Sequence, residues 1–575
     1  MATDMTDPTP SATSVSPTTT HSTADIVRVR IPEGDYTEFK NHLIREEADE
    51  HAGYLLVGVH RYTERDGAEQ REVLEYLVQD VVCLEIDEYA DQGAHNVTLD
   101  HSTLREATFN ASPDDRYLED RAIILAHSHP FQRDPSYSSL DDSSEPMAFV
   151  ALTAEGEGPQ ASLLFGADDT FAGRVWPADV GQIRDEEVAG TNPIDEIVVV
   201  GNDQLKRIQT TNSRLDDSEE ESEMHDRQAL VHGGGGNAAL RNSHVAVVGA
   251  GGLGSLVVQS LAHLGVGTLS VVDPDVVEET NRSRVVGARP DDAGPADATP
   301  DGSGVTPAMW AEAFEEAGRP KIEVMQRLVE EIDPSIQFNG VHQGVESPDG
   351  MDAILKADVI VSATDTASSR VAMSHAAKQY HRPLFDAGTN INVVEDTAKY
   401  IATRLTVVTP NSPCLDCHGE INWDRVTAEQ QNPDEIEYGL ELIEGEAPAV
   451  ITINQQAAAR LTFAVHRYLT GLLAGRTGFT TGTDELITGF HETAETESDP
   501  ACKFCGDGLF AGIGDRGPSS AKPSRMDVPD DTGIISELGI RVVPEAQHPP
   551  SQQSVEGEEK SLPGRVRGVL ASLLR

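Results

Sequence analysis

One stretch of this 575-residue chain limits its fold more than any other. His244 to Val248 reads as a short buried strand, followed by Gly249-Ala250-Gly251-Gly252-Leu253-Gly254 and an apolar helical segment, Ser255 to Leu264. A glycine-rich turn between strand and helix lets backbone N–H groups and the helix N-terminus converge on a phosphate. The next strand, Thr268 to Val272, completes a βαβ unit. Asp273, at the end of that strand, stands where such folds take a ribose hydroxyl. The pattern predicts a doubly wound, Rossmann-like α/β sheet and is equally compatible with NAD, FAD or ATP. Helix Lys321 to Ile332, strand Val359 to Ser362 and helix Ser368 to His381 continue the alternation, and residues 288–304 read as a flexible Asp/Ala/Gly/Pro-rich insertion.

Composition decides which partners such a chain can have. With 43 basic and 97 acidic residues the formal charge is −54, and only nine of the basic residues are lysine. The acids are spread along the chain, a profile similar to that of salt-adapted, halophile-type proteins. Hydrophobic residues make up 38%, enough, with the periodic segments, to build cores rather than a disordered polyanion. An acidic surface repels phosphate backbones, so no nucleic-acid partner is expected. No run reaches the roughly 18–20 apolar residues of a membrane span and the N-terminus lacks a leader pattern, so a cytoplasmic protein without a membrane partner is expected.

Residues 1–24 are Ser/Thr/Pro-rich and 512–575 return to Pro, Ser, Gly and charge, so both are expected as tails without regular structure. Residues 25–190 predict an α+β domain with strands at Ile26 to Ile31, Gly53 to Val59, Glu75 to Leu84, Ala122 to Ala126, Ala148 to Thr153 and Ala161 to Phe165, and a helix from Tyr36 to Glu47. Residues 191–223 are expected to hold a hairpin, Asp195 to Ile208, and an acidic linker, Asp216 to Glu223. The nucleotide domain then occupies 224–511.

Further polar residues narrow the reading of the glycine loop. Asp273-x-Asp275, Asn281-x-x-Arg284, Lys321 at the head of a helix, Thr364-Asp365-Thr366 with Arg370, Arg227-Gln228 before the loop and Asn454-Gln455 after an apolar run all stand in register. In these motifs the chain resembles the ThiF/MoeB/ubiquitin-activating superfamily over roughly residues 225–511. The resemblance implies ATP-dependent adenylation of the C-terminal glycine of a ubiquitin-like or sulfur-carrier protein with a Gly-Gly tail. Nucleotide contacts would come from Gly249, Gly251, Gly252, Gly254, Asp273, Asp275 and Asn281. Arg284 and Lys321 would supply positive charge where charge builds on the phosphoryl oxygens, and Asp365 would hold Mg²⁺. Arg227 would reach as an arginine finger into the other subunit of a homodimer. An NAD(P)- or FAD-dependent oxidoreductase on the same loop is the rival enzyme, and a non-catalytic module that binds ubiquitin-like tails is the rival of another class.

Four of the five cysteines form two pairs, Cys414-x-x-Cys417 and Cys502-x-x-Cys505. Four thiolates suit a closed, tetrahedral, structural Zn²⁺ site, and redox-active pairs are the alternative. The 84 residues between the pairs exceed a compact ribbon, and the family resemblance implies that the two knuckles meet in space. The fifth, Cys83, reads as a core residue of an apolar strand. With no spare thiol near the loop, the expected product is a released acyl-adenylate.

The first domain carries its own constellation. His127-Ser128-His129-Pro130 follows an apolar strand, so both imidazoles share one face at its end, and Ser138-x-x-Asp141 lies nine residues beyond His129. With Asp141 the two histidines can make a three-ligand zinc site with one open position. The segment resembles the JAMM/MPN metalloprotease motif, which implies Ser138 as the oxyanion residue and Glu50, ahead of the apolar run Tyr54 to Val57, as general base. The spacing is one residue longer than the family's, so Ser139 and Asp142 compete with Ser138 and Asp141. A bifunctional enzyme is expected, with one catalytic and one structural zinc: the first domain hydrolyses (iso)peptide bonds at ubiquitin-like tails and the second activates the same kind of carboxylate.

Overall fold

The computed structural model describes residues 24–515 apart from 46–48, 67–68, 85–88, 94–95, 100–121, 153–158, 177–190, 216–222, 294–317, 396, 431–447, 477–480 and 507–510. The expected N-terminal tail, the acidic linker, most of the 288–304 insertion and the chain beyond 515 lie outside the described residues. Two large sheets organise the rest.

The first sheet is built on β1 (Ile26–Pro32), β2 (Ala52–Asp66) and β3 (Glu69–Cys83). A separate two-stranded hairpin follows, β4 (Tyr89–Gly93) and β5 (Asn96–Leu99). The sheet is completed by β6 (Ala122–Ser128), β7 (Ala161–Phe165), β8 (Phe171–Val175), β9 (Asn192–Pro193), β10 (Glu196–Val200) and β11 (Leu205–Gln209). Its order is β11-β10-β1-β3-β2-β6-β7-β8-β9, with helices α1 (Glu33–Leu43) and α2 (Ser139–Leu152) as its α elements.

One sequence expectation changes here. Ala148 to Thr153, read as a strand, has Ala148 to Leu152 as the last turns of α2. A short apolar run does not distinguish strand from helix, and the deciding signal lies upstream. The N–H of Ser138 donates to Asp141 Oδ2 at 2.6 Å and that of Asp141 to Ser138 Oγ at 3.2 Å, a reciprocal cap that starts a helix. The expected hairpin at 195–208 forms as β10 and β11. Its first strand, β10, pairs parallel with β1, Arg28 opposite Glu196, inside the first sheet.

The second sheet comprises β12 (His244–Val248), β13 (Thr268–Val272), β14 (Gln337–Val341), β15 (Val359–Ser362), β16 (Leu384–Val394), β17 (Thr397–Val408), β18 (Thr481–Glu485) and β19 (Phe490–Ala494). Its order is β14-β13-β12-β15-β16-β17-β18-β19, parallel as far as β16 and antiparallel beyond. The order reverses between β12 and β15, and a doubly wound sheet opens its ligand crevice at the carboxyl ends of such a strand pair. The helices are α3 (Asp226–Arg241), α4 (Gly254–Leu264), α5 (Lys321–Ile332), α6 (Pro348–Leu355), α7 (Ala367–Gln379), α8 (Trp423–Gln430) and α9 (Ile451–Thr470). One apolar core gathers residues of α4, α5 and α9, and another gathers residues of α6, α7 and α8. Among the described residues no helix is long and apolar enough to cross a membrane.

The period-2 alternation of β1 explains how the two sheets join. Val27, Val29 and Ile31 face the first core, which places Arg28 and Arg30 on the opposite side. Arg30 is nonetheless 1% exposed, because the second domain covers that face. Its guanidinium bonds Glu75 Oε1 at 3.0 Å and Asp358 Oδ1 at 3.4 Å, and Arg382 closes on Glu75 from the second domain. Arg207 of β11 also reaches Asp358, at 2.5 Å. Residues 512–515, expected within the tail, pack against the folded domains. Gly514 bridges Val59, the Asp515 carboxylate accepts from Tyr380 and from the N–H of Arg61, and it lies 2.9 Å from His60 Nδ1. The segment therefore lies between the two domains as a strap.

Candidate active sites

The glycine loop sits at the switch point of the second sheet. The N–H of Gly249 donates to Val272 O and that of Ala363, just after β15, to Val248 O. Gly249 has φ +96°, and a methyl group built on it would lie 2.6 Å from Ala363 O, so only glycine fits the turn. A methyl on Gly254 would lie 1.8 Å from Gly249 O, whereas one on Gly251 meets nothing within 4 Å. Two glycines thus make the turn possible, and Gly251 faces open space where a phosphate can approach the backbone. Gly252 packs beneath Asn454 Nδ2 and the aliphatic part of Arg284, which places both side chains over the loop.

Asp273 is 4% exposed and uses its oxygens inside the protein: Oδ2 accepts from Ala250 N at 2.6 Å and Oδ1 from Asp275 N at 2.8 Å. It braces the loop, and the exposed carboxylate at this strand end is Asp275. Lys321, first residue of α5, reaches Asp275 Oδ2 at 2.6 Å and lies 4.0 Å from Asp273. Burial pulls the Lys321 pKa down, but Asp273, Asp275 and Asp365 outweigh it, so the ammonium stays charged. Asn281 is buried in a short 3₁₀ turn whose next residues carry Arg284 toward the loop. Asp365 is exposed after β15, and Arg227 is exposed on α3. Sequence reading gave no role to Asp386. This buried aspartate at the foot of the crevice is held by Ser362, Arg370 and Arg404 at 2.6, 3.2 and 2.5 Å.

The four paired cysteines converge, their sulfurs lying within 4.8 Å of one another. Cys414 faces Cys502 and Cys417 faces Cys505, each at 3.5 Å, and none of the four is in a disulfide. Four sulfurs at this spacing fit a tetrahedral zinc. Lys378 of α7 braces the loop before Cys414, donating to the carbonyls of Thr409, Pro410 and Ser412. Cys83, at the end of β3, is half-buried rather than deep in the core.

In the first domain, His127, His129 and Asp141 bring their ligand atoms within 4.8 Å of one another. His127 Nε2 lies 3.2 Å from Asp141 Oδ1, and His129 Nε2 lies 3.9 Å from Oδ2. Two imidazoles and a carboxylate in one cluster fit a three-ligand zinc. Asp142, the competing aspartate, points away to Arg174 at 2.5 Å. Glu50 is 6% exposed with Oε1 3.6 Å from His129 Nε2. Burial, opposed by His127 and aided by Asp141, pushes its carboxyl up to about 7. Behind His127 lies Glu145, one turn along α2 from Asp141, which sequence reading missed although the i, i+4 spacing puts both carboxylates on one helix face.

Comparison with known proteins bears on the second domain. A model of the ThiF family matches residues 225–299 and 312–503. The SAMP-activating enzyme E1 of Haloferax volcanii is 29% identical over 182 residues, 32% of this chain and 55% of that protein. The adenylyltransferase and sulfurtransferase MOCS3 of Arabidopsis thaliana is 29% identical over 183 residues, 32% of each chain. The sulfur carrier protein ThiS adenylyltransferase of Escherichia coli is 28% identical over 152 residues, 26% of this chain and 51% of that one. The chain thus spans about half or less of the length of these relatives. The matched residues cover the second sheet with its helices and glycine loop, which form a ThiF/MoeB-type domain.

Proposed function

We propose that the second domain adenylates the C-terminal glycine of a small ubiquitin-like or sulfur-carrier protein. The observation that carries this reading is the loop itself: an open face at Gly251 on a switch-point crevice, with Lys321 and Arg284 beside it. A carboxylate oxygen attacks the α-phosphorus of ATP, the bond to the β-phosphate oxygen breaks, and pyrophosphate leaves. Lys321 and Arg284 hold positive charge where phosphoryl oxygens gain negative charge, and Asn281 orients the nucleotide. Asp365 would hold Mg²⁺, which supplies further charge neutralisation when bound. Arg227 lies on the exposed start of α3 among the exposed apolar side chains Met224, Leu230 and Val231, a face suited to a second copy of the chain. The names of the relatives favour ATP over a redox dinucleotide.

The test is pyrophosphate release with ATP and carriers ending in Gly-Gly, followed by mass analysis of the carrier tail. Carrier-dependent release and an AMP adduct are expected. Hydride transfer without ATP use would return the loop to an oxidoreductase, and tail binding without either would make the chain a recognition module.

A second reading concerns the first domain and rests on the convergence of His127, His129, Asp141 and Glu50. These residues fit a metallohydrolase of (iso)peptide bonds at such tails. His127, His129 and Asp141 would hold zinc, which acidifies water and polarises a carbonyl when bound. Glu50, with its raised pKa, is suited to take a proton from water and deliver it to the leaving amine. Ser138 accepts from the Asp141 N–H, which leaves its own hydroxyl proton free to donate to the carbonyl oxygen. Cleavage of a carrier–lysine conjugate that stops in Glu50→Gln, with adenylation unchanged, is the expected result. Equal cleavage by Glu50→Gln would remove this reading and leave the first one standing.

A further inference from the structure

The buried network behind His127 goes beyond both readings. Glu145 is 6% exposed, and its Oε2 accepts every hydrogen bond the carboxylate receives: from Ser162 Oγ at 2.5 Å, Arg174 Nη2 at 2.8 Å and Nε at 3.1 Å, and Trp176 Nε1 at 3.1 Å. Among the described residues Oε1 is buried with no hydrogen-bond partner, and it lies 4.0 Å from His127 Nδ1. Arg174 is held in turn by Asp142 and by the face of the Tyr137 ring, 3.8 Å from its centroid. Four donors on one oxygen fix the carboxylate, and the orphaned oxygen is aimed at the far side of the imidazole. A buried acceptor left unpaired is costly, so its position calls for a donor, and an imidazole N–H is the donor in front of it.

We propose that Glu145 is the positioning residue of the first-domain metal centre: it holds His127 as the Nδ1–H tautomer, so that the Nε2 lone pair faces Asp141 and the metal. At 4.0 Å the two groups are in ion-pair range and short of a direct hydrogen bond, and with the carboxylate fixed a small tilt of the imidazole closes the gap. Histidines that ligate metals commonly donate their other ring N–H to a carboxylate, which fixes the ring and raises its basicity. The segment Ser138-x-x-Asp141-x-x-x-Glu145 thereby does three jobs on one helix end: it caps α2, supplies the carboxylate ligand and orients the histidine ligand.

The proposal rests on the metallohydrolase reading, and its test separates the two. Full-length protein, treated with a weak chelator that leaves cysteine-bound metal in place, is titrated with Zn²⁺ against a chromophoric competitor, and His127→Gln identifies the step belonging to the first domain. Glu145→Ala should weaken that step by roughly 10–100-fold. Glu145→Gln, which keeps an acceptor oxygen, should lose less than about tenfold. Asp142→Asn loosens Arg174 from the other side without touching Glu145 and should leave zinc affinity within about twofold. Long-range ¹H–¹⁵N correlation of the imidazoles, assigned through His127→Gln, should show Nδ1–H in the wild type and its loss in Glu145→Ala. Unchanged affinity and tautomer in a folded Glu145→Ala protein, or an equal loss in Asp142→Asn, would overturn the assignment. A wild type with no zinc step sensitive to His127→Gln would remove the metallohydrolase reading, and this assignment with it.

Discussion

Replacing single glycines in the loop by alanine should separate folding from nucleotide binding. At Gly254 the new methyl would lie 1.8 Å from the backbone carbonyl oxygen of Gly249, about half the distance at which ordinary contact begins. Neither group can turn away, because one is backbone and the other begins a buried helix. Overpacking of this kind costs about 3 kcal/mol or more. For a domain of this size that lowers the thermal midpoint by roughly 6–12 °C. At Gly251 the methyl meets no protein atom within 4 Å, so stability should stay within about 0.5 kcal/mol of wild type. The same methyl projects into the open face where a phosphate would meet the loop N–H groups, and a loss of at least about 1.4 kcal/mol, tenfold in ATP affinity, is expected. Urea titration gives the stabilities and calorimetric ATP titration the affinities. A Gly251→Ala protein that binds ATP as wild type does would refute the assignment of this loop to the phosphates, and a Gly254→Ala protein of wild-type stability would refute the packing argument.

Three further outcomes follow from the charges and the cysteines. Burial alone would raise the Glu75 pKa, but Arg382 and Arg30 hold it at about 2 against an ordinary 4.5, so its contribution is complete above pH 4.5 and is lost as pH falls toward 2. That contribution is about 3 kcal/mol, so the stability gap between wild type and Glu75→Gln, measured by urea unfolding, should narrow by that much from pH 5 downward, and a pH-independent gap would contradict it. Lys321→Met should abolish carrier-dependent pyrophosphate release while far-ultraviolet circular dichroism is retained; release at the wild-type rate would remove Lys321 from the phosphate site. Cys502→Ser should lower the bound zinc by one equivalent and increase hydrogen exchange at Val59 to Arg61, where the strap docks a few residues beyond Cys505; exchange unchanged at those amides would show that the strap holds independently of the metal.

The βαβ opening was legible because its signals are local: an apolar strand, a glycine turn with no room for Cβ atoms and a helix ending at left-handed Gly265. Lys321 to Ile332 is likewise bounded by its own residues, with Pro320 before it and apolar positions at helical spacing. What stayed hidden beyond the helix at Ala148 needed partners distant in sequence. That the 195–208 hairpin joins the first sheet depends on Arg28, 168 positions from Glu196, and the docking of 512–515 depends on Val59 and Tyr380. At the first-domain site His127, His129 and Asp141 were visible as types at a spacing. Glu145 was not, because its meaning comes from Arg174, Trp176 and Ser162, supplied by neighbouring strands. Arg30 shows the same limit: alternation alone would place it in solvent, and only Glu75 and the second domain make it a buried charge.

The seam of Arg30, Glu75, Arg382, Asp358 and Arg207 implies that the covalent joint between the domains is redundant. A first half expressed alone would expose Glu75 without Arg382, and a second half would expose Asp358 without Arg30 and Arg207. Each is a misfit in water and a fit for the other. A chain cut between Leu215 and Glu223 should therefore yield two fragments that find each other when co-expressed, with high salt strengthening the apolar part of the contact and low pH dissolving the ionic part.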